Sequence, residues 1–414
     1  MEGPRLKPRF AAERLVEALS DSPVVLIHGP RQSGKTTLAR MVGDPRGHVP
    51  FSFDEQATLA SARSDPAGFV ANLPERSLLD EVQRAPELFP AIKAAVDARR
   101  TPGRILLTGS ANVLLVPRLS ESLAGRMASL RLHPLAQAEV AGQQPRFLEA
   151  LFSAGFATRR FERLGPELAE RVVAGGYPAA LNRSGARRRA AWYRDYLETI
   201  VERDIRDLAR IRSLEAVPRL LTLAAGQTAR TLNVSELAAA FQLSRPTLAD
   251  YLVLLQRVFL VDQLPPWHTN RLSRLVKAPK LHLGDTGLAC AVLGLDAAAL
   301  QRDRDILGQL VETFVFQELR RQASWHEQEI RFHHFRDRDG FEVDLVLERG
   351  RDVAGIEVKA GATVTAADFR GLRKLSQAAG KHFAAGLVLY DGEVSGSFGE
   401  GLFAVPIRAL WEMT

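Results

Sequence analysis

Two glycines, Gly29 and Gly34, bracket Pro30-Arg31-Gln32-Ser33 and are followed at once by Lys35-Thr36-Thr37. Glycines at that spacing let the backbone turn so that successive N–H groups point inward at an anion. The Lys35 ammonium can then reach terminal phosphate oxygens, and the Thr36 hydroxyl is a ligand for Mg2+. The apolar run Val24-Val25-Leu26-Ile27 before the loop reads as a buried parallel strand, and Thr36 to Val42 after it reads as a helix. Strand, glycine-rich loop and helix N-terminus together make a phosphate cradle, so residues 29–37 are expected to hold ATP.

A second pair of acids follows. Leu78-Leu79-Asp80-Glu81 reads as a strand ending in two carboxylates. Downstream of a phosphate cradle, Asp80 is expected to hold Mg2+ through water and Glu81 to polarise the attacking water as general base. Ile105-Leu-Leu-Thr108-Gly109-Ser110 is another apolar strand ending in small polar residues; Ser110, or Thr108, can sense the γ-phosphate, Asn112 less readily. Arg126, after a short helical stretch, is expected to meet a γ-phosphate in its own or a neighbouring subunit.

The last third carries a different constellation. In Phe341-Glu-Val343-Asp344-Leu345-Val-Leu347 the apolar residues alternate, which puts Asp344 on the opposite face from them. Ile356-Glu357-Val358-Lys359 reads as a strand with Glu357 and Lys359 on one face. If the strands are neighbours, Asp344, Glu357 and Lys359 converge, in the order of the PD-(D/E)XK nuclease pattern. Such carboxylates, Asp344 and Glu357, can hold Mg2+ or Mn2+, and the lysine can orient a metal-bound water or stabilise charge on a scissile phosphate. Within the preceding helix, Glu318 falls in an apolar stripe, an odd place for a charge. His333 and His334 read as ordinary strand or loop residues.

These groups need elements to hold them. With 414 residues, two or three domains are expected, and 46% hydrophobic with 25% charged residues is an ordinary globular composition. The single cysteine, Cys290, excludes an internal disulfide and fits a reducing compartment. No run reaches the length of a membrane span, so a cytoplasmic protein with no membrane partner is expected. The net charge of +7 invites DNA as a partner, and it clusters at Arg187-Arg188-Arg189 and at Arg271, Arg274, Lys277 and Lys280, with no acid among residues 265–280. Apolar strands alternating with helices predict an α/β fold with a doubly wound parallel sheet over the first third.

Residues 141–212 read as mostly helical, broken at Gly175-Gly176-Tyr177-Pro178. Residues 231–264 read as a winged helix-turn-helix. Ser235 caps one helix, Ser244 caps a second from Arg245 to Gln256, and Phe259 to Asp262 forms a wing strand. Ser244, Arg245 and Thr247 would face a groove, unless the module only packs against its neighbours.

Taken together, the loop at 29–37, Leu-Asp-Glu-x-Gln at 79–83, Thr-Gly-Ser at 108–110 and Ser-Leu-Ala-Gly-Arg at 122–126 resemble a bacterial and archaeal family of AAA-like P-loop ATPases. The resemblance covers nearly the whole chain, including Gly-Gly-Tyr-Pro and Lys280-Leu-His-Leu-Gly-Asp285. It implies a C-terminal domain of unknown function related to restriction-endonuclease-like folds. Similarity to Holliday-junction resolvases of that superfamily implies that Glu312, in Gly308-x-x-x-Glu312, completes the nuclease constellation, with Glu318 as the substitute. The expected organisation is an ATPase domain at 1–140, a helical lid or connector at 141–212, a winged helix at 213–275 and an α/β nuclease-like domain at 276–414. The expected function is ATP hydrolysis gating a DNA-binding nuclease. The alternative is a non-cleaving ATP-dependent switch acting on DNA or a protein partner, in a toxin–antitoxin or defence setting, with a homo-oligomer among the possible assemblies.

Overall fold

The computed structural model describes residues 6–110, 123, 125–153, 155–205, 216–269 and 278–414. The chain divides into two compact units: Pro8–Leu135 with Leu254–Leu260, and Ala136–Val253 with Val261–Thr414 and the first seven residues.

The first unit is built on a five-stranded sheet. Its strands are β1 (Val24–His28), β2 (Val49–Ser52), β3 (Ser77–Asp80), β4 (Ile105–Gly109) and β5 (Met127–Arg131), in the order β2-β3-β4-β1-β5. Every pairing is parallel. The unbroken apolar run of β1 follows from burial on both faces. Val24 and Leu26 pack with Ile92 and Val96 of helix α3 (Leu88–Ala98). Val25 and Ile27 pack with Leu15 of α1 (Ala11–Asp21) and Leu38 of α2 (Lys35–Gly43). The doubly wound parallel sheet expected from the sequence is present. In such a sheet the C-terminal strand ends open onto a common crevice.

The second unit holds the rest. A three-stranded antiparallel sheet has the order β7 (Arg230–Thr231), β9 (Lys280–Leu283), β8 (Val261–Leu264). Between β7 and β8 run helices α6 (Val234–Ala240) and α7 (Arg245–Arg257), joined by a turn with Gln242 at φ 54°. Ser244 Oγ accepts from Thr247 N at 3.2 Å, the cap expected for the second helix. A seven-stranded mixed sheet has the order β10-β11-β12-β13-β15-β14-β6, where β10 is Ile330–Arg336, β11 Glu342–Arg349, β12 Asp352–Lys359, β13 Phe383–Tyr390, β14 Val394–Gly399 and β15 Leu402–Pro406. Its last strand, β6 (Arg159–Arg160), comes from the region expected to be a connector.

That region is therefore woven into the second unit rather than standing apart as a lid. Helix α4 (Pro166–Ala174) and helix α5 (Ala186–Thr199) pack on α8 (Thr286–Leu293). The tie is Asp285, for which sequence reasoning had no chemistry. Its Oδ1 accepts from Tyr193 OH at 2.9 Å and from Gly287 N and Leu288 N, capping α8. Its Oδ2 accepts from Gly176 N at 2.8 Å and from Arg321 at 3.0 Å. Gly175 has φ 64°, and a Cβ there would lie 2.1 Å from Asp285 Oδ1, so the Gly-Gly break is the close approach this carboxylate requires.

Candidate functional site

The first site forms where β1, β3 and β4 end together. Gly29 leaves β1 at φ 154°, and a Cβ on it would lie 2.2 Å from the Leu132 carbonyl oxygen. Gln32 and Gly34 also have positive φ, which turns the loop into a concave row of main-chain groups ahead of α2. Lys35 is buried and its ammonium donates to the Pro30 carbonyl at 2.9 Å, across the mouth of the loop. Arg9 clamps the loop from outside, donating to Ser33 O at 2.8 Å and to His133 O at 2.7 Å. Sequence reasoning assigned no role to Arg9. Arg31 and Thr36 are half-buried, Ser33 is buried, and Gln32 and Thr37 are exposed.

Thr36 Oγ1 donates to Asp80 Oδ1 at 2.9 Å, and Thr108 Oγ1 donates to the same oxygen. Thr108 Oγ1 also accepts from Glu81 N at 3.1 Å. Glu81 sits at φ 58°, a strained conformation for a residue with a Cβ, and this hydrogen bond helps hold it. Its carboxylate accepts from Gln83 Nε2, which also donates to Ser110 Oγ at 2.9 Å. One chain of contacts thus runs from Thr36 of the loop through Asp80 and Thr108 to the Glu81 backbone, and another from Ser110 through Gln83 to the Glu81 carboxylate. Gln83 was visible only as part of a pattern. Burial, with Glu81 adding to it, raises the Asp80 carboxyl above its ordinary range against the two threonine hydrogen bonds. Burial beside Arg131 and Lys35 lowers His28, which leads into the loop, to about 3.

The donor set suits Mg2+, a hard cation that takes a hydroxyl, a carboxylate and water. Thr36 and Asp80 would hold it. Arg126 lies elsewhere. Its carbonyl accepts from Val24 N, at the N-terminal edge of the sheet, and its guanidinium pairs with Asp97. The phosphate loop starts beyond the other end of the five-residue β1. At ~3.3 Å per residue the strand puts the loop out of that side chain's reach. The expectation that Arg126 meets a γ-phosphate within its own subunit is thereby corrected. Asn112 falls outside the described residues.

The second site lies in the other unit. The register Leu345↔Ile356 between β11 and β12 brings Asp344 beside Glu357 and Lys359 as expected. Lys359 Nζ donates to Glu357 Oε1 at 2.9 Å, and Val358 N donates to Asp344 Oδ2 at 2.9 Å. Glu312 reaches the same place from helix α9 (Arg304–Ala323). Between them stands a residue the sequence reading placed on a phosphate-binding surface. Lys280 Nζ donates to Glu312 Oε1 at 2.8 Å and to Asp344 Oδ1 at 3.1 Å, with its side chain 6% exposed. Burial, then Asp344, pushes the Glu357 carboxyl up to about 8, and burial with Asp344 raises the Glu312 carboxyl well above its ordinary range. Burial opposes the charge on Lys280, but Asp344 and Glu312 outweigh it and hold the ammonium above its ordinary range.

A divalent metal does not fit this second donor set. An ammonium already lies between Glu312 and Asp344, and both Asp344 oxygens are engaged. Among the described residues no group of three or more His, Cys, Asp and Glu side chains is arranged to hold a metal ion. Asp344 and Glu357, the expected metal ligands, are instead held by Lys280, Val358 N and Lys359. Glu318 is no substitute for Glu312. It is fully buried, accepts from Gln137 N at 2.8 Å, and ties α9 to the start of a neighbouring helix. His334 faces the Ala278 carbonyl and His333 faces Glu348, as ordinary strand residues. Ser244 and Arg245 are exposed at the start of α7, as are Arg187 and Arg188 on α5. Arg271, Arg274 and Lys277 lie outside the described residues.

Residues 21–141 match the family described as AAA domain. Residues 165–299 match a domain of unknown function, DUF8612, and residues 307–410 another, DUF4143. The chain thus carries an AAA-type P-loop ATPase domain. Two relatives, the uncharacterized proteins Mb2031c of Mycobacterium bovis and Rv2008c of Mycobacterium tuberculosis, are each 31% identical over 403 residues, 97% of this chain and 84% of theirs. Among solved structures, the Walker-type ATPase PABY2304 of Pyrococcus abyssi is similar over 70% of this chain and 99% of its own, at 18% identity and a TM-score of 0.46. The RuvB Holliday junction branch migration motor of Thermotoga maritima is similar over 62% of this chain and 89% of its own, at 18% identity and a TM-score of 0.28. Among the described residues no helix is long and apolar enough to cross a membrane.

Proposed function

The chain belongs to the family of these two mycobacterial proteins, and on that premise we propose that it is an ATP-hydrolysing switch acting on DNA. The observation that carries the reading is the cluster of Thr36, Asp80, Thr108 and Glu81 at the mouth of the Gly29–Thr37 loop. The main-chain N–H groups of that loop and Lys35 bind and orient the β- and γ-phosphates. Glu81, its backbone fixed by Thr108 and its carboxylate by Gln83, accepts a proton from the attacking water. Ser110, one hydrogen bond from Gln83, contacts the γ-phosphate side of the crevice. Bound Mg2+ would supply neutralisation of charge on the phosphate oxygens.

A route from nucleotide to DNA is supported by the segment Leu254–Leu260. It completes α7, whose exposed start carries Ser244 and Arg245, yet it belongs to the ATPase unit. Phe259 there is buried at φ 62°. Its ring lies 5.9 Å from that of His28 and 4.9 Å from the Arg131 guanidinium. His28 is the residue immediately before Gly29, so a shift of the loop presses on the end of α7.

A second reading, a DNA nuclease gated by ATP, rests on the convergence of Asp344, Glu357 and Lys359. The two are separated by assaying ATP turnover alongside cleavage of supercoiled, single-stranded and branched DNA with Mg2+ or Mn2+. The switch expects ATP turnover lost in Lys35→Ala and no cleavage by any form. Cleavage abolished by Asp344→Ala would establish the nuclease instead, and turnover intact in Lys35→Ala would refute the ATPase assignment. DNA affinity is expected to fall steeply with salt, and a flat response refutes the DNA contact.

A further inference from the structure

The acidic centre of the second unit gathers three carboxylates, from Glu312 on α9, Asp344 on β11 and Glu357 on β12. An unbalanced cluster of this kind, largely removed from water, needs a counter-charge. Two ammonium groups supply it. Lys359 pairs with Glu357 from the same strand. Lys280 comes from a different sheet and bridges the other two carboxylates, at 2.8 Å from Glu312 and 3.1 Å from Asp344.

The backbone of Lys280 is as constrained as its side chain. It opens β9, the middle strand of the three-stranded sheet, where it is opposite Thr231 of β7 on one side and Leu264 of β8 on the other. Its side chain therefore leaves a strand paired on both edges, not a loop. The remaining oxygen of Asp344 is turned toward the main-chain N–H of Val358. A divalent ion placed between Glu312 and Asp344 would have to expel an ammonium held by a rigid strand and break that hydrogen bond.

We propose that Lys280 is the resident cation of this centre. It takes the place of a divalent metal and fastens β9, the middle strand of the three-stranded sheet, to the sheet and helix of the C-terminal region. The centre is then a closed latch between the three-stranded sheet and the C-terminal sheet and helix, not a hydrolytic site. This holds whether or not the first unit hydrolyses ATP, because no residue of that unit enters the argument.

The test uses the full chain carrying Thr36→Ala and Asp80→Asn, which removes the oxygen ligands of the phosphate loop, with Mn2+ titrated calorimetrically in the absence of nucleotide. The latch expects this background and its Asp344→Asn derivative to bind Mn2+ alike. Lys280→Met, which keeps the stem and removes the charge, is expected to gain one Mn2+ site, and adding Asp344→Asn should abolish it. Mn2+ bound by the background and lost on Asp344→Asn while Lys280 is present would overturn the proposal, as would a folded Lys280→Met that gains no site. Should Lys280→Met fail to fold, the decision passes to Lys280→Met with Glu312→Gln, which removes one charge of each sign. Recovery of folding in the double variant supports the ion-pair role, and failure to recover overturns it. ATP turnover of the otherwise unaltered chain is measured separately, so loss of the ATPase reading cannot be mistaken for loss of this one.

Discussion

Replacing Asp285 with alanine should open the second unit around Cys290. Asp285 is fully buried, and its two oxygens take five donors: three main-chain N–H groups, the Tyr193 hydroxyl and the Arg321 guanidinium, itself only 4% exposed. Removing one side of a buried ion pair costs about 3–5 kcal/mol. Taking only the lower figure, and about 1.4 kcal/mol per decade, the opened population rises on the order of a hundredfold. The chain contains its own reporter. Cys290 is its one cysteine, it is buried, and it lies on α8, the helix Asp285 caps. Burial raises its thiol pKa, so the closed form resists thiol reagents. When reclosing outpaces modification, the labelling rate follows the opening equilibrium. Labelling of Asp285→Ala by an aromatic disulfide reagent in native buffer should therefore run on the order of a hundredfold faster than wild type. A rate within a few-fold of wild type would refute the claim that this carboxylate holds α4, α5 and α8 together.

Glu81→Gln should bind ATP with little change in affinity while turnover falls on the order of 10²–10⁴-fold, checked by nucleotide binding and phosphate release; a loss of binding instead would place Glu81 in substrate contact rather than proton transfer. Gln83→Ala should lower kcat more than it raises KM, because it frees the Glu81 carboxylate and leaves the phosphate loop alone. His28 titrates near 3 in the folded protein against an ordinary 6.5. Between these values the unfolded chain binds more protons, so stability rises with pH through that window and is lost on acidification below about 6.5, by about 2 kcal/mol at pH 5. Hydrogen exchange of β1 peptides should show this acid sensitivity in wild type and a flatter profile in His28→Gln. In Phe259→Ala, DNA affinity measured by fluorescence anisotropy should no longer differ between nucleotide-free and ATP-bound protein, although turnover and DNA binding each persist.

The phosphate site was legible because its parts are local or sit at predictable ends of strands. Gly29 to Thr37 is a continuous segment, and Asp80 and Ser110 close apolar runs whose parallel pairing, β3 on β4 and β4 on β1, brings them to the same end of the sheet as the loop. The strand pair carrying Asp344, Glu357 and Lys359 was legible for the same reason, since an alternation of two fixes the face and adjacency does the rest. What failed were judgements made from charge within a window. Residues 265–280 contain no acid, which suggested cations turned toward phosphate. The acids that claim Lys280 lie 32 and 64 residues downstream on other elements, and a count confined to one segment cannot see them.

Arg126 shows a second limit, for the reading within its own subunit. Its position after a helical stretch matched a pattern, but the pattern is silent on which end of the sheet the arginine occupies. The hydrogen bond from Val24 N to its carbonyl settles that it is the far end from the loop. Asp285 and Glu318 show a third limit. A carboxylate in an apolar context reads as an anomaly in search of chemistry, and each instead satisfies main-chain N–H groups where helices meet. Buried backbone donors need acceptors as strictly as active sites need acids. The identity of the donor is set only once distant segments have packed, so the structural and catalytic uses of a lone buried carboxylate cannot be told apart before the fold is known.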